Sequence, residues 1–263
     1  MRSSFLFAMT VAVVLGSAQA QAPQAQAQAQ AQAAQAPPAI EPQATEALQK
    51  MSRYLQSLRS FSVKAQSSTD QILVTGEKIQ LDAEATVWAV RPDRLRVDSK
   101  SDRRSRQFFY DGKNFTVFGK LAGYYATVPA PATLRELREK ISADYGIELP
   151  LSDLLSWGTD SNHAELTGAS VIGLATIRGV PCDQYAFRQE GLDWQVWIQR
   201  GPRPLPRRLV LTTTTDEARP QHRVDLDWLP EARLAPATFK FTPPAGAHPI
   251  PLRRSDETGA PKR

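Results

Sequence analysis

The chain lacks most of the residues and motifs on which catalytic and metal centres depend. It has one cysteine, Cys182, among 263 residues, so an intramolecular disulfide is excluded, and we expect a buried free thiol rather than a catalytic one. The histidines His163, His222 and His248 are far apart, and none has a helical i, i+4 partner that would support a metal site. There is no Gly-x-Ser-x-Gly motif, phosphate loop or dinucleotide fingerprint. We therefore expect no enzyme, no cofactor and no bound metal.

After the N-terminal apolar run, no stretch of the chain approaches the ~18 apolar residues of a membrane helix. Arg2 precedes an apolar run from Phe5 to Leu15, and Ala18-Gln19-Ala20 is a small-x-small cleavage site. This pattern is typical of a cleavable secretory signal peptide over residues 1–20, with cleavage near Ala20. No cysteine follows the run, so a lipid-anchored signal is not supported.

Branched and aromatic side chains are nearly absent from residues 21–40, which alternate Ala and Gln before Pro37-Pro38. Such a segment buries too little apolar surface to offset its ordering entropy, which predicts a disordered tether, although Ala and Gln also favour helix. Residues 41–251 suit one large β domain, and the charged residues 252–263 predict a disordered tail.

The formal charge of +5, from 32 basic and 27 acidic residues, is mild, and nothing resembles a nucleic-acid-binding module. The cluster of Arg103, Arg104 and Arg106 would suit either anionic lipid headgroups or, as we favour, a solvated surface. The carboxylate pairs Asp82–Glu84 and Asp225–Asp227 sit at i, i+2 and are expected on the solvent side of strands.

Residues 42–60 carry apolar side chains at spacings of three and four, which predicts a helix with Pro42 in its first turn. From Phe61 the period changes to two, and from Ile79 to Ala89 apolar residues alternate with polar ones. Repeated segments of this kind predict a mostly antiparallel sheet of nine to eleven strands, with Pro92 interrupting one pairing and Phe239 and Phe241 beginning the last strand.

Two helical segments interrupt the strands. Thr133 and Glu136 form a capping box, and Gly146 is a plausible C-cap, so a helix is predicted between them. A second, short helix is predicted over residues 150–157. The fold class is therefore mainly β (α+β): a strongly curved antiparallel half-barrel with an N-terminal helix and a mid-chain helical lid. A curled sheet with helices over its mouth encloses a cavity of the kind that binds ligands.

Several stretches resemble known proteins. Three segments resemble signatures of the LolA-type outer-membrane lipoprotein carriers. They are Ala89–Arg96, in which Arg-Pro separates two strands, the hairpin Tyr110–Phe118, and Phe239–Gly246. A closer resemblance is to a family of predicted periplasmic proteins of unknown function in the same superfamily. It is carried by Gly146–Leu151, Val180-Pro181-Cys182, Trp194–Ile198 and Pro204–Arg207. Together these similarities cover residues 41–251, although the helical insert between Pro129 and Trp157 is longer than in the carriers.

The resemblance implies a periplasmic half-barrel whose concave face accepts acyl chains or another apolar group. It also implies that Arg91 bonds to the lid and latches it, although an exposed arginine at a strand bend is the alternative. We predict that the cavity is lined by Ile79, Leu81, Ala83, Ala85, Val87, Phe115, Val117, Leu137 and Leu154. The strand Ile79–Ala89 would equally suit ordinary core under the first helix.

The function that follows is a monomeric periplasmic carrier or binding protein for lipid, lipoprotein acyl chains or another apolar ligand, with transient contact to a membrane surface. The alternative is an envelope sensor or regulatory module that uses the same fold to bind a protein partner. A third possibility is an interaction protein whose core is completely filled.

Overall fold

The computed structural model describes residues 40–151 and 165–255. The predicted signal peptide, most of the predicted tether, Leu154 and residues 256–263 lie outside these ranges. At the edges of the described ranges, Ile40 pairs with Ala169, and Ser255 donates a backbone hydrogen bond of 2.8 Å to the Asp144 carbonyl oxygen.

The described residues form one large curved, open sheet of twelve strands, with two α-helices. The helices are α1 (Pro42–Ser57) and α2 (Leu134–Tyr145). The strands are β1 (Ser60–Ile72), β2 (Lys78–Val90), β3 (Arg94–Ser101), β4 (Ser105–Tyr110), β5 (Asn114–Gly119), β6 (Tyr124–Pro129), β7 (Gly168–Ile177), β8 (Val180–Gln189), β9 (Leu192–Gln199), β10 (Pro206–Thr213), β11 (Gln221–Pro230) and β12 (His248–Pro249). Their order in the sheet is β12-β6-β5-β4-β3-β2-β1-β11-β10-β9-β8-β7. All neighbours are antiparallel except the short β12–β6 pair. The mainly-β curved fold predicted from the sequence is thus confirmed, with one strand more than the expected maximum.

One face of the sheet, called here the inner face, packs against both helices. The buried stripe of α1 is Ala44, Leu48, Met51 and Leu55, at the predicted spacing of three to four residues. It shares one core cluster with inner-face side chains such as Val63 of β1 and Val87 of β2. The opposite, outer face carries the alternate residues of each strand, which are mostly polar on β1 and β2.

The start of α2 is fixed to the corner between β2 and β3. The peptide bond between Arg91 and Pro92 is cis, and β3 begins at Arg94, so Pro92 interrupts the pairing as predicted. The Pro92 carbonyl oxygen accepts a 2.8 Å hydrogen bond from the backbone N–H of Leu134, the first residue of α2. The capping box of Thr133 with Glu136 and the left-handed C-cap at Gly146 are both present, as predicted.

The prediction of a last strand beginning at Phe239 and Phe241 is wrong. Pro236–Phe239 forms a 3₁₀ helix, and the final strand is β12, His248–Pro249. The alternation of Phe239 and Phe241 comes from packing on the sheet rather than from pairing within it. The ring of Phe241 lies 5.1–5.5 Å, centroid to centroid, from three aromatic rings on the outer face, those of Phe109, Phe118 and Tyr125.

Candidate ligand-binding face

The inner face is closed where both helices pack on it. Among the predicted cavity residues, Val87 is 3% exposed, and Phe115 and Leu137 are each 1% exposed. Their neighbours in the core cluster are side chains of the protein itself, from α1, α2 and adjacent strands. Val117 is half-buried and packs against the same cluster. Val87, Phe115, Val117 and Leu137 therefore pack within or against the core cluster, and for Val87 this was the alternative left open by the sequence.

The inner face changes character toward the turn between β1 and β2. Here Ile79, Leu81, Ala83 and Ala85, called here the β2 strip, point to the inner face and are half-buried rather than buried. The strip continues the line of Val87 along β2 because alternate residues of a strand share one face. It forms an apolar track that leads out of the closed core.

Small side chains surround the centre of the β2 strip. Ala83 lies opposite Ser67 of β1 and Ser101 of β3 in the strand register. The Ser67 hydroxyl donates a 3.3 Å hydrogen bond to the Ala83 carbonyl oxygen, so its polarity is satisfied by the backbone. Three small residues side by side leave a depression here, and all three also line the larger cavity described below, most of whose other walls are polar.

The corner at Arg91 is where a lid latch was predicted. The backbone N–H of Arg91 donates a 2.8 Å hydrogen bond to the Arg59 carbonyl oxygen, and burial lowers the pKa of its guanidinium. Arg91 is half-buried rather than fully exposed. The observed link between the corner and α2 runs through the Pro92 carbonyl, so the latch role of the Arg91 side chain stays a prediction.

Tyr110 holds the chain that leads into α2. Its side chain is fully buried, and its hydroxyl donates a 2.5 Å hydrogen bond to the Pro131 carbonyl oxygen. Burial, followed by the negative charge of Asp93, raises the pKa of Tyr110 to about 12.

We expect Tyr110 to make the protein sensitive to alkali. The folded pKa of about 12 lies above the ordinary value of about 10. The protonated Tyr110 side chain therefore contributes fully to the free energy of unfolding below pH ~10, and this contribution is lost as the pH rises toward 12. Replacing Tyr110 with Phe should remove about 1–2 kcal/mol of this pH dependence, measured by urea unfolding at pH 8 and pH 11. Tyr124→Phe, at an exposed tyrosine, is the control, and equal pH dependence in wild type and Tyr110→Phe would contradict the assignment.

Two cavities lie mainly on the outer face. The larger, of about 650 Å³, is lined largely by polar residues, including Gln66, Asp70, Asp82, Glu84 and Arg223. The smaller, of about 190 Å³, continues across β3 and β4. Polar and charged walls do not suit an acyl chain, because each buried polar group would lose its hydration without a new partner. These cavities were not predictable from the sequence, because alternation along a strand does not reveal concavity.

The Asp225 carboxylate contradicts the expectation that the paired acidic residues are solvent-facing. Asp225 is 8% exposed, and its Oδ2 accepts hydrogen bonds of 2.9 Å from Arg208 and 3.1 Å from Arg223. The guanidinium of Arg178, at the turn between β7 and β8, lies 3.8 Å away and also bonds Asp227 at 2.7 Å. Burial acts to raise the pKa of Asp225, but the hydrogen bonds from Arg208 and Arg223 outweigh it and hold that pKa below its usual value.

The remaining candidate groups are the single cysteine and any cluster of metal-ligating side chains. Cys182 is buried and free, as predicted, and burial raises the pKa of its thiol. No group of three or more His, Cys, Asp or Glu side chains within residues 40–151 and 165–255 is placed to hold a metal ion. The helices in the same ranges are too short or too polar to cross a bilayer.

One family model matches most of the chain. The chain belongs to the family described as predicted periplasmic protein (DUF2092), which matches residues 44–253. The closer resemblance drawn from the sequence is thereby confirmed. No curated protein matches the chain.

Several solved structures are similar in fold. Lipoprotein LppX of Mycobacterium tuberculosis is 12% identical, with a TM-score of 0.45, and the match covers 71% of this chain and 94% of that one. LprF of Mycobacterium bovis is 16% identical, with a TM-score of 0.45, covering 80% and 99%. A LolA superfamily protein from Nitrosomonas europaea is 9% identical, with a TM-score of 0.38, covering 75% and 97%.

Proposed function

We propose that the protein is a monomeric periplasmic carrier or binding protein that holds a lipid, or the acyl chain of a lipoprotein, along the β2 strip. The observation that supports this is the strip itself: a row of apolar, half-buried side chains that leaves the closed core beside a depression at Ala83. Each methylene that moves from water onto such a surface gains up to ~0.8 kcal/mol. An acyl chain of ordinary length therefore needs only partial coverage to bind.

Transport across the periplasm would begin with secretion. The signal-peptide pattern of residues 1–20 and membership of a family of predicted periplasmic proteins support this location. The carrier role differs from a sensor role in its ligand, because a sensor of this fold would bind a protein partner and would not need stoichiometric lipid.

We expect variants of the β2 strip to lose affinity for cis-parinaric acid, whose fluorescence rises in an apolar site. Ala83→Trp fills the depression with an indole, and Leu81→Ser removes apolar contact area worth about 1.5 kcal/mol, so each should weaken binding about tenfold. Lys64→Trp, at an exposed outer-face position of the neighbouring strand, adds the same indole where no ligand is proposed and should leave affinity unchanged.

Native mass spectrometry of gently purified protein provides a second, independent measurement. A carrier should retain acyl species, and Ala83→Trp should retain less than Lys64→Trp does. Protein without acyl species and without cis-parinaric acid binding would contradict the proposal. Stoichiometric capture of one envelope protein by the same lipid-free protein would favour the sensor role instead.

A further inference from the structure

The hairpin of β1 and β2 projects beyond the strands on either side of it. Pairing with β3 ends at Ala83 and Ser101, and pairing with β11 ends at Thr69 and His222. The five β2 residues Lys78–Asp82 therefore pair only with β1 in the described part of the chain. On the β11 side only Asp70–Ile72 extend past the last pair, so the part that projects beyond both neighbours, called here the finger, is three residues per strand. At ~3.3 Å per residue it is about 10 Å long before its turn is counted.

The tip of the finger is apolar and open to solvent. Val74 is fully exposed and Leu73 is 37% exposed, in a turn where polar residues are the norm. The turn between β5 and β6, at the same end of the sheet, exposes Leu121 to 72%. Leu73 and Val74 are neighbours and form one exposed apolar tip, whereas Leu121 is a single exposed leucine on a separate turn.

Basic side chains accompany these apolar turns. Arg103 and Arg104 lie in the turn between β3 and β4, Arg106 is the second residue of β4, and Lys120 precedes Leu121. All four are exposed, and none has an ion-pair partner within the described ranges.

The carboxylates of these turns are fewer. Glu77 lies in the finger turn, where the Thr75 hydroxyl lowers its pKa, and Asp102 begins the next turn. On the finger itself, the Asp70 carboxylate lies 3.6 Å from the ammonium of Lys78. The exposed Asp82, on β2 at the base of the finger, is a further carboxylate, so the excess of cations is confined to the turns between β3 and β4 and between β5 and β6. There Arg103, Arg104, Arg106 and Lys120 are accompanied by Asp102 alone, which gives this part of the sheet end a positive field.

We propose that this end of the sheet docks on an anionic bilayer surface, with Leu73 and Val74 entering the headgroup layer and the four basic residues facing lipid phosphates. A protein partner fits less well, because a stable protein interface buries roughly 800 Å² per partner on complementary surfaces, whereas a narrow hairpin tip offers only a few side chains. A bilayer accepts a convex apolar tip without shape complementarity, and anionic headgroups attract each nearby Lys or Arg.

Docking would also orient the β2 strip. Ile79 lies just behind the finger turn, so the open end of the strip would meet the bilayer while its other end leads to the core. The role of the β2 strip as a route for lipid rests on the proposed function, whereas membrane docking itself does not.

Co-sedimentation with vesicles tests the docking surface. We expect wild-type protein to bind vesicles of phosphatidylglycerol and phosphatidylethanolamine at low salt, and to bind pure phosphatidylcholine vesicles at least about tenfold more weakly. The double variant Leu73→Asp with Val74→Asp should weaken binding about tenfold or more, because it places charges in the headgroup layer. Arg103→Glu with Arg104→Glu should reduce binding to anionic vesicles by a similar factor and flatten its salt dependence.

The control is Leu229→Asp, which changes an exposed leucine at the opposite end of the sheet, and it should bind vesicles as wild type does. No binding of wild type to anionic vesicles, or equal losses in Leu229→Asp and the tip variant, would overturn the docking surface. Uptake of cis-parinaric acid without vesicles separates the two proposals. The tip variant should still take up cis-parinaric acid. If wild-type protein takes up none, the ligand site is contradicted but membrane docking is not.

Discussion

Replacing Phe115 with alanine is expected to lower the free energy of unfolding by about 3–4 kcal/mol while leaving the affinity for cis-parinaric acid unchanged. Phe115 is 1% exposed, and its ring is stacked at 6.2 Å, centroid to centroid, on that of Phe108. Truncation leaves a cavity within the closed core, away from the β2 strip, so the loss falls on stability.

The comparison variant is Leu81→Ala, on the half-buried strip. It should lower the free energy of unfolding by less than about 1 kcal/mol, because a partly exposed side chain loses little burial, yet it should weaken acyl binding. Phe115→Leu, expected to cost only about 1 kcal/mol, keeps the test valid if the alanine variant does not fold. Both quantities come from urea unfolding and fluorescence titration. A loss of acyl affinity in Phe115→Leu would mean that the closed core takes part in the binding site.

Replacing Asp225 with alanine is expected to lower the free energy of unfolding at pH 7 by about 3 kcal/mol. Asp225 is buried among the guanidiniums of Arg208, Arg223 and Arg178, and its removal leaves the partly buried Arg208 without its carboxylate. Breaking such a pair costs more than the pair itself contributes, because the remaining charge stays desolvated. Asp227→Ala, at an exposed carboxylate that also contacts Arg178, should cost under about 1 kcal/mol.

The Asp225 effect should also depend on pH. Its folded pKa is lower than its unfolded pKa, so the contribution is present above pH ~4 and is lost as the pH falls through the folded value. Urea unfolding at pH 7 and pH 3 should therefore show a smaller difference between wild type and Asp225→Ala at the lower pH. A difference that stays constant or grows on acidification would show that the carboxylate is not held ionised by its arginines.

The elements that depend on local periodicity were predictable from the sequence. The stripe of α1, the alternation of β2 and the capping box at Thr133 each appear where their spacing placed them. Such patterns are sufficient to predict an element, because the spacing of apolar residues within one helix or strand indicates which of its sides is buried. The segment from Phe239 to Phe241 misled for the same reason, since packing across the outer face produced a strand-like alternation without strand pairing.

The candidate site was only partly predictable. Alternation assigned Ile79, Leu81 and Val87 to one face, but it does not reveal how far along the strand the helices cover that face. Coverage depends on where α1 and α2 pack, which is set by contacts between residues distant in sequence. The environment of Asp225 was missed for a similar reason, because Arg208 approaches it from a neighbouring strand and Arg178 from the turn between β7 and β8.

The most direct test of the apolar track is methyl NMR with a nitroxide-labelled fatty acid. We predict that the methyl resonances of Ile79, Leu81, Ala83 and Ala85 broaden when the labelled chain is added, whereas those of outer-face Leu229 do not. Broadening confined to the outer face, or no broadening in a protein that remains folded, would contradict the assignment of the β2 strip as the place where an acyl chain lies.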